Sequence, residues 1–303
     1  MNVWLLAARP KTLPASTSGV IVGSALAFAE RHFDLWSALL SFFVALCLQI
    51  ASNFANDVFD FESGADAGRS HGPTRVTQAG LLTPLQVKSG LVVILILATV
   101  AGVALILHSL ETAPGAWPWL SAIGLLAITA SVGYTTGPFP LARLGLGDVF
   151  VLIFFGFAAT VGSYFVQAGH LNVFVFLLSL GPGLIIVAIL VVNNLRDLDE
   201  DRKVHKKTLA VRFGERFAKT EYVSCLSLAY AVVAVVVACG LATPWVLLTF
   251  LSLPLAFKNI RLILTARGSA LNAALAGTGV LSFIWALLFA LGMILSGTLA
   301  GAL

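Results

Sequence analysis

Two short runs of carboxylates and amides carry the chemistry most readily read from this chain. Asn193, Asp197 and Asp201 recur every fourth residue, in a stretch that also holds Asp199 and Glu200 and follows directly on the apolar run Leu184 to Val192. On a helix, side chains four apart stack along one face, so these three would aim their oxygens at a common point. An oxygen cage of that kind suits a hard divalent cation. Far upstream, Asn56 and Asp60 keep the same step, Gly64 takes the third slot, and Asp66 follows two residues later. Asp57, Asp199 and Glu200 fall outside the four-residue spacing, which sets them beside the ligand positions.

Bases accompany both runs. Arg202, Lys203, His205, Lys206, Lys207 and Arg212 follow the second, and the first leads into a loop rich in Gly and Pro that contains Arg69, His71 and Arg75. Tight turns in such a loop bring backbone N–H groups and Arg75 towards an anion. Carboxylates hold a cation, the cation bridges phosphates, and Lys or Arg neutralises the remaining phosphate charge. Mg²⁺ is favoured, because it takes one or two carboxylates together with substrate phosphates and water. His71 reads as a loop histidine. Arg9 and Lys11 read either as snorkelling anchors or as contacts for an anionic substrate.

The elements that must position these groups are membrane helices. In 303 residues the hydrophobic fraction is 59% and the charged fraction 11%, with a mean hydropathy of +0.97, far from a soluble domain. A hydrocarbon core about 30 Å thick needs roughly 20 apolar residues per helix. Nine stretches qualify: 12–29, 36–56, 88–108, 117–134, 147–168, 172–193, 222–240, 244–264 and 275–299. The expected fold is therefore an all-α polytopic membrane protein, with no hydrophilic stretch long enough for a separate soluble domain. Pro14 and the further spans favour a retained first helix over a signal peptide.

Charge sets the orientation. With the N-terminus inside, all of the 18 Lys and Arg residues except Arg31 fall on the cytoplasmic face, in accord with the positive-inside rule. The net charge of +4 is thus one basic membrane face, not a nucleic-acid signature. Cys47, Cys225 and Cys239 lie in apolar runs without metal-type spacing and read as packing residues. Gln49, Ser52, Asn53, Asn56, Asp57 and Asp60 enter before the second apolar run has ended, and polar groups so placed mark a wet cavity or a functional site. Tyr134-Thr135-Thr136-Gly137-Pro138 ends the fourth span on the same face as the acids, either at a substrate mouth or as an ordinary connection. Trp245 and Trp285 are expected at lipid or along an apolar cavity.

Asn56-Asp57-x-x-Asp60 and Asn193-x-x-x-Asp197-x-x-x-Asp201 on a scaffold of nine spans resemble the UbiA-type intramembrane prenyltransferases over nearly the whole chain. Further strings are similar to the 1,4-dihydroxy-2-naphthoate polyprenyltransferases of menaquinone synthesis: Ala8-Arg9-Pro10-Lys11-Thr12, Gly72-Pro73-x-Arg75-x-x-Gln78-x-Gly80, Tyr134-Thr135-x-Gly137-Pro138, Gly145-Leu146-Gly147-Asp148 and Asn193-Asn194-x-Arg196-Asp197. Gly64 departs from the broader family, in which many members carry an acid there, and Asp66 looks like its substitute, as in the naphthoate branch.

The resemblance implies nine transmembrane helices around a central cavity with cytoplasmic cap loops, open laterally to lipid, with residues 1–303 forming a single transmembrane prenyltransferase domain. By that likeness Asn56, Asp60, Asp66, Asn193, Asp197 and Asp201 hold Mg²⁺ and the diphosphate of a polyprenyl donor, with Asp60, Asp197 and Asp201 as the catalytic carboxylates. Arg75, Arg202, Lys206 and Lys207 are the candidates for diphosphate contact, and Tyr134, Arg143 and Asp148 for orienting the aromatic acceptor. The implied reaction, in the plasma (inner) membrane, joins a polyprenyl group to 1,4-dihydroxy-2-naphthoate with loss of CO₂ and diphosphate, giving demethylmenaquinol. Two other readings compete: prenyl transfer to another aromatic acid such as 4-hydroxybenzoate, and a carboxylate-lined ion transporter. Acids at the ends of spans, with bases beside them, differ from the broken midplane helices of transporters.

Overall fold

The computed structural model describes residues 2–64, 75–136 and 141–300, without the side chains of 142, 143 and 298–300, and contains no strand among them. Its long helical segments are α1 (Leu13–Ala29), α2 (Leu35–Glu62), α3 (Pro84–Ser109), α4 (Trp117–Gly133), α5 (Gly147–Ala168), α6 (Val173–Arg196), α7 (Leu209–Ala238), α8 (Pro244–Thr265) and α9 (Leu271–Ala300). A short helix, Val3–Ala8, precedes α1, and another, Leu198–Lys203, links α6 to α7. Among the described residues eight segments are long and apolar enough to cross a membrane: α1 together with the short helix before it (Val3–Ala29), α2, α3 and α5 to α9, but not α4. With 17 residues, α4 extends roughly 25 Å at 1.5 Å per residue, slightly less than the hydrocarbon thickness.

Helix starts follow their caps. Asp34 accepts the Ser37 N–H at 2.7 Å, Asn172 accepts that of Phe174 at 2.9 Å, and Thr83 with Gln86 forms a reciprocal box in front of Pro84. These satisfy N–H groups that the first turn leaves without intrahelical partners. Two helices outrun the stretches expected from hydropathy. The second span was expected over 36–56, yet α2 continues to Glu62; the seventh was expected over 222–240, yet α7 starts at Leu209. Hydropathy marks only the part of a helix in lipid, whereas the backbone ladder continues into the polar turns beyond it. In α7 that extension is interrupted at Gly214, where φ is 86°, a conformation open to glycine.

Apolar side chains point outward as well as inward. Trp36, Leu85, Trp119 and Val173 are largely exposed, as a hydrocarbon surrounding allows. Helix association then depends on close approach, with small residues at the contacts. In α1, Gly19 and Gly23 lie four apart and face α5. A methyl added at Gly23 would come within 2.2 Å of the Thr160 carbonyl oxygen, and one at Gly19 within 2.7 Å of that of Phe155. Trp285 on α9 is fully buried against Gly181 of α6 and stacked on Phe289, so it serves the packed core and not the cavity or lipid expected for it. Trp245 is 43% exposed. Cys47 and Cys225 are buried, but Cys239, at the end of α7, is exposed and does no packing.

Along α5 the turn at Leu152–Ala158 is π-helical, a distortion often found near functional sites. In α6, Pro182 removes one main-chain hydrogen bond. The π-helical turn lies along an internal cavity, with Phe154, Phe155 and Ala158 in its lining.

Gly23→Ala is expected to destabilise the protein by about 1–3 kcal/mol, because the new methyl meets main chain that cannot turn aside. Gly102→Ala on α3 adds a methyl that meets nothing within 4 Å and should be neutral or slightly stabilising. Denaturant-driven unfolding of both variants in lipid-detergent micelles measures the difference.

Candidate active site

A cavity of about 1100 Å³ runs between the helices. At one end its wall is polar, formed by Asn56, Asp60, Arg75, Asn193, Asp197, Asp201 and Lys206. Elsewhere it is apolar, lined by α3, α4 and α5, with Phe150, Phe154 and Phe155 among the lining residues. The two acidic runs, more than 130 positions apart in sequence, thus face one space.

Local structure explains each placement. Because α2 continues helically to Glu62, Asn56 and Asp60 stand one turn apart on a helical wall. At the other wall, the four-residue step survives the junction at the end of α6: Asp197 N–H donates to the Asn193 carbonyl at 3.1 Å, and Asp201 N–H to that of Asp197 at 2.8 Å. The three side chains therefore keep helical register although two helices meet at Asp197. Beyond Lys203 the chain reverses at His205, whose φ is 56°. That turn lets Lys206 fold back, its N–H donating to the Asp201 carbonyl at 3.0 Å and its ammonium lying 3.2 Å from the Asp201 carboxylate.

Each carboxylate at the polar end has a cationic partner. Arg75 donates to Asp60 at 2.9 Å. Arg196 holds both oxygens of Asp197, at 2.6 and 2.7 Å. Lys206 serves Asp201. Asp57, with no exposed surface, points away from the cavity lining and accepts the main-chain N–H groups of Val76 and Thr77 at 3.0 and 2.9 Å; the Arg9 guanidinium lies 3.9 Å from it. Asp57 thereby anchors the segment that presents Arg75. Asn53 donates to the Ala8 carbonyl and the Thr12 hydroxyl at 2.9 and 3.1 Å, tying α2 to the chain entering α1. Thr135 donates to the Asn56 side-chain carbonyl.

The remaining sequence-predicted residues are dispersed. Arg9, Lys11 and Tyr134 line the cavity. Arg202 and Lys207 are exposed and outside its lining, Arg202 standing 3.5 Å from the exposed Asp199. Asp148 is buried in the first turn of α5, also outside the lining. Asp66, His71 and the side chain of Arg143 lie outside the described residues.

The donors at the polar end are hard oxygens, together with the cations that pair with them, and fit Mg²⁺ with a phosphate-bearing ligand. Among the described residues no three of His, Cys, Asp and Glu converge on a closed metal cage. A shell of one or two carboxylates completed by phosphate and water is the usual one for Mg²⁺. Asn56, Asp60, Asn193, Asp197 and Asp201 would contribute to it.

Three participants were given no role from sequence. Arg196 and Thr135 stood within the strings noted above, and Arg196 sits beside Asp197 and three residues after Asn193, on the same helical face. Asn272 carried no signal, because its partner comes from a distant helix.

Comparison with known proteins extends the picture. The profile of the UbiA prenyltransferase family matches residues 17–286. The chain is 38% identical to the 1,4-dihydroxy-2-naphthoate octaprenyltransferase of Escherichia coli (strain K12), across 97% of this chain and 96% of that protein. It is 34% identical to the 1,4-dihydroxy-2-naphthoate octaprenyltransferase of Mycobacterium tuberculosis (strain ATCC 25618 / H37Rv), across 94% of each chain. A solved UbiA homolog from Aeropyrum pernix K1 superimposes with a TM-score of 0.67 at 15% identity, covering 97% of this chain and 99% of that one. A UbiA homolog from Archaeoglobus fulgidus, solved with DMAPP and Mg²⁺, gives a TM-score of 0.67 at 13% identity, over 96% and 98% of the two chains; at such identities the likeness is one of fold. A family profile over most of the chain, and relatives above 30% identity over nearly all of it, establish that this protein belongs to the UbiA prenyltransferase family and is an intramembrane prenyltransferase.

Proposed function

We propose that the protein transfers a polyprenyl group from polyprenyl diphosphate to 1,4-dihydroxy-2-naphthoate, with Mg²⁺, releasing CO₂ and diphosphate and giving demethylmenaquinol. The observation that carries this reading is the single cavity whose acidic and basic end opens into apolar space lined by aromatic rings. One end suits a diphosphate, the other an isoprenoid. The choice of acceptor draws on the full-length naphthoate octaprenyltransferase relatives. We further infer residues 1–303 as one domain of nine spans, α4 included, with the polar end and its cap loops cytoplasmic in the plasma membrane, from the one-sided placement of Lys and Arg.

In this reading Asn56, Asp60, Asp66, Asn193, Asp197 and Asp201 hold Mg²⁺, which, when bound, supplies charge stabilisation to the departing diphosphate. Arg75 and Lys206 would stabilise the negative charge that develops on the diphosphate as the allylic C–O bond breaks and its electron pair leaves with that group. They are already aimed into the cavity by Asp60 and Asp201. Phe150, Phe154 and Phe155 offer ring faces to the cationic allyl carbon, and the apolar wall excludes water that would quench it.

The ring carbon bearing the carboxylate then supplies the pair for the new C–C bond. Cleavage of the C–CO₂ bond returns a pair to the ring, so the protein need remove no proton. Tyr134, with Arg143 and Asp148 as further candidates, would orient the acceptor. Arg202 and Lys207, exposed and outside the cavity lining, would add to the positive field of that face.

Asp60→Ala and Asp197→Ala should each lower prenyl transfer in lipid by at least ~100-fold, the scale seen when one preorganised electrostatic group is removed; a fully active variant of either would overturn its assigned role. The wild-type protein should use dihydroxynaphthoate and leave 4-hydroxybenzoate unreacted, as measured by chromatography of the products. With carboxyl-labelled acceptor, one labelled CO₂ should appear per prenylated ring, whereas label retained in the product would contradict the coupled loss.

A further inference from the structure

Arg196 is nearly fully buried, and its guanidinium is committed on three sides. Its Nε and one terminal nitrogen hold the two oxygens of Asp197 at 2.6 and 2.7 Å. That terminal nitrogen also donates to the Asn193 side-chain carbonyl at 2.7 Å, and the other donates to the Asn272 side-chain carbonyl at 3.0 Å. Asn193, Asp197 and Asn272 all line the cavity, whereas Arg196 stands behind them and does not. Asn272 comes from the first turn of α9, so one planar cation joins both neighbours to a separate helix.

A guanidinium fork fixes a carboxylate in both position and plane, which an ammonium cannot do. A carboxylate offers about four lone-pair directions and an amide carbonyl two. The fork occupies one on each Asp197 oxygen. Its contact with Asn193 fixes the rotation of that amide, with the side-chain oxygen accepting from the guanidinium. From this geometry we infer that Arg196 is a positioning residue: it holds Asp197 and Asn193 in place at the cavity wall before any ligand arrives, and Asn272 holds Arg196 in turn. This rests on the proposed role of Asn193 and Asp197 in binding Mg²⁺ with diphosphate.

Groups that orient metal ligands change affinity or activity by about 10–100-fold when altered. Cation binding is read by electron paramagnetic resonance of Mn²⁺ titrated into the full-length protein in lipid nanodiscs with inorganic pyrophosphate, so no prenyl donor or acceptor is involved. Arg196→Lys keeps the charge and loses the fork, and should weaken Mn²⁺ binding by about 10-fold or more. Asn272→Ala should weaken it by a smaller factor while leaving the cation-free melting temperature near that of the wild type. Prenyl transfer by Asn272→Ala should recover at high Mg²⁺, with kcat restored and only the Mg²⁺ requirement raised.

Unchanged Mn²⁺ affinity in folded Arg196→Lys would overturn the inference while leaving the metal-diphosphate reading intact. If Arg196→Lys fails to fold, unchanged affinity in Asn272→Ala would overturn it equally. No Mn²⁺ binding by the wild type with pyrophosphate would sink the metal reading and the inference together.

Discussion

The structure depends on a constraint that burial imposes: a carboxylate taken out of water needs a partner. Asp60, Asp197 and Asp201 would be costly if isolated. Each instead faces a cation held by its own local geometry: Arg75 from the segment anchored on Asp57, Arg196 one residue away on the same helix end, and Lys206 through the left-handed turn at His205. Pairing offsets part of the cost of burying each carboxylate, and an incoming ion with its anionic ligand would exchange partners with these side chains.

The pairs are positioned by backbone devices that are modest individually. Asp57 spends its carboxylate on two main-chain amides, and Asn53 ties α2 to the residues entering α1. Behind them, Gly19 and Gly23 bring α1 against α5, and Gly181 receives the Trp285 ring. In water such contacts would be driven largely by burial of apolar surface. In a bilayer the lipid tails are as apolar as the side chains, and complementary shape decides which helices meet.

Much of this was legible in the sequence. The four-residue spacing of Asn193, Asp197 and Asp201 anticipated one helical face, and the structure keeps that register across a helix junction. Hydropathy located the spans but misplaced the starts or ends of α2 and α7, because it senses solvent and not the backbone ladder. It also misjudged Trp285, whose burial depends on a glycine in another helix. Arg196 showed its register to Asn193 and Asp197, but its link to Asn272 joins positions 76 residues apart, and no local pattern encodes that. Arg202 and Lys207 illustrate the opposite difficulty: proximity in sequence to an acidic run does not turn a side chain towards it.

In the proposed arrangement of nine spans, α4 separates two similar solvents. Along α4 no residue is buried, yet Leu120, Ile123, Ala127 and Ile128 line the cavity while Trp119 and Leu126 project outward. An isoprenoid moving from bilayer to cavity thus exchanges one hydrocarbon environment for another, with little gain per carbon. Affinity for a prenyl donor must then reside at the charged end.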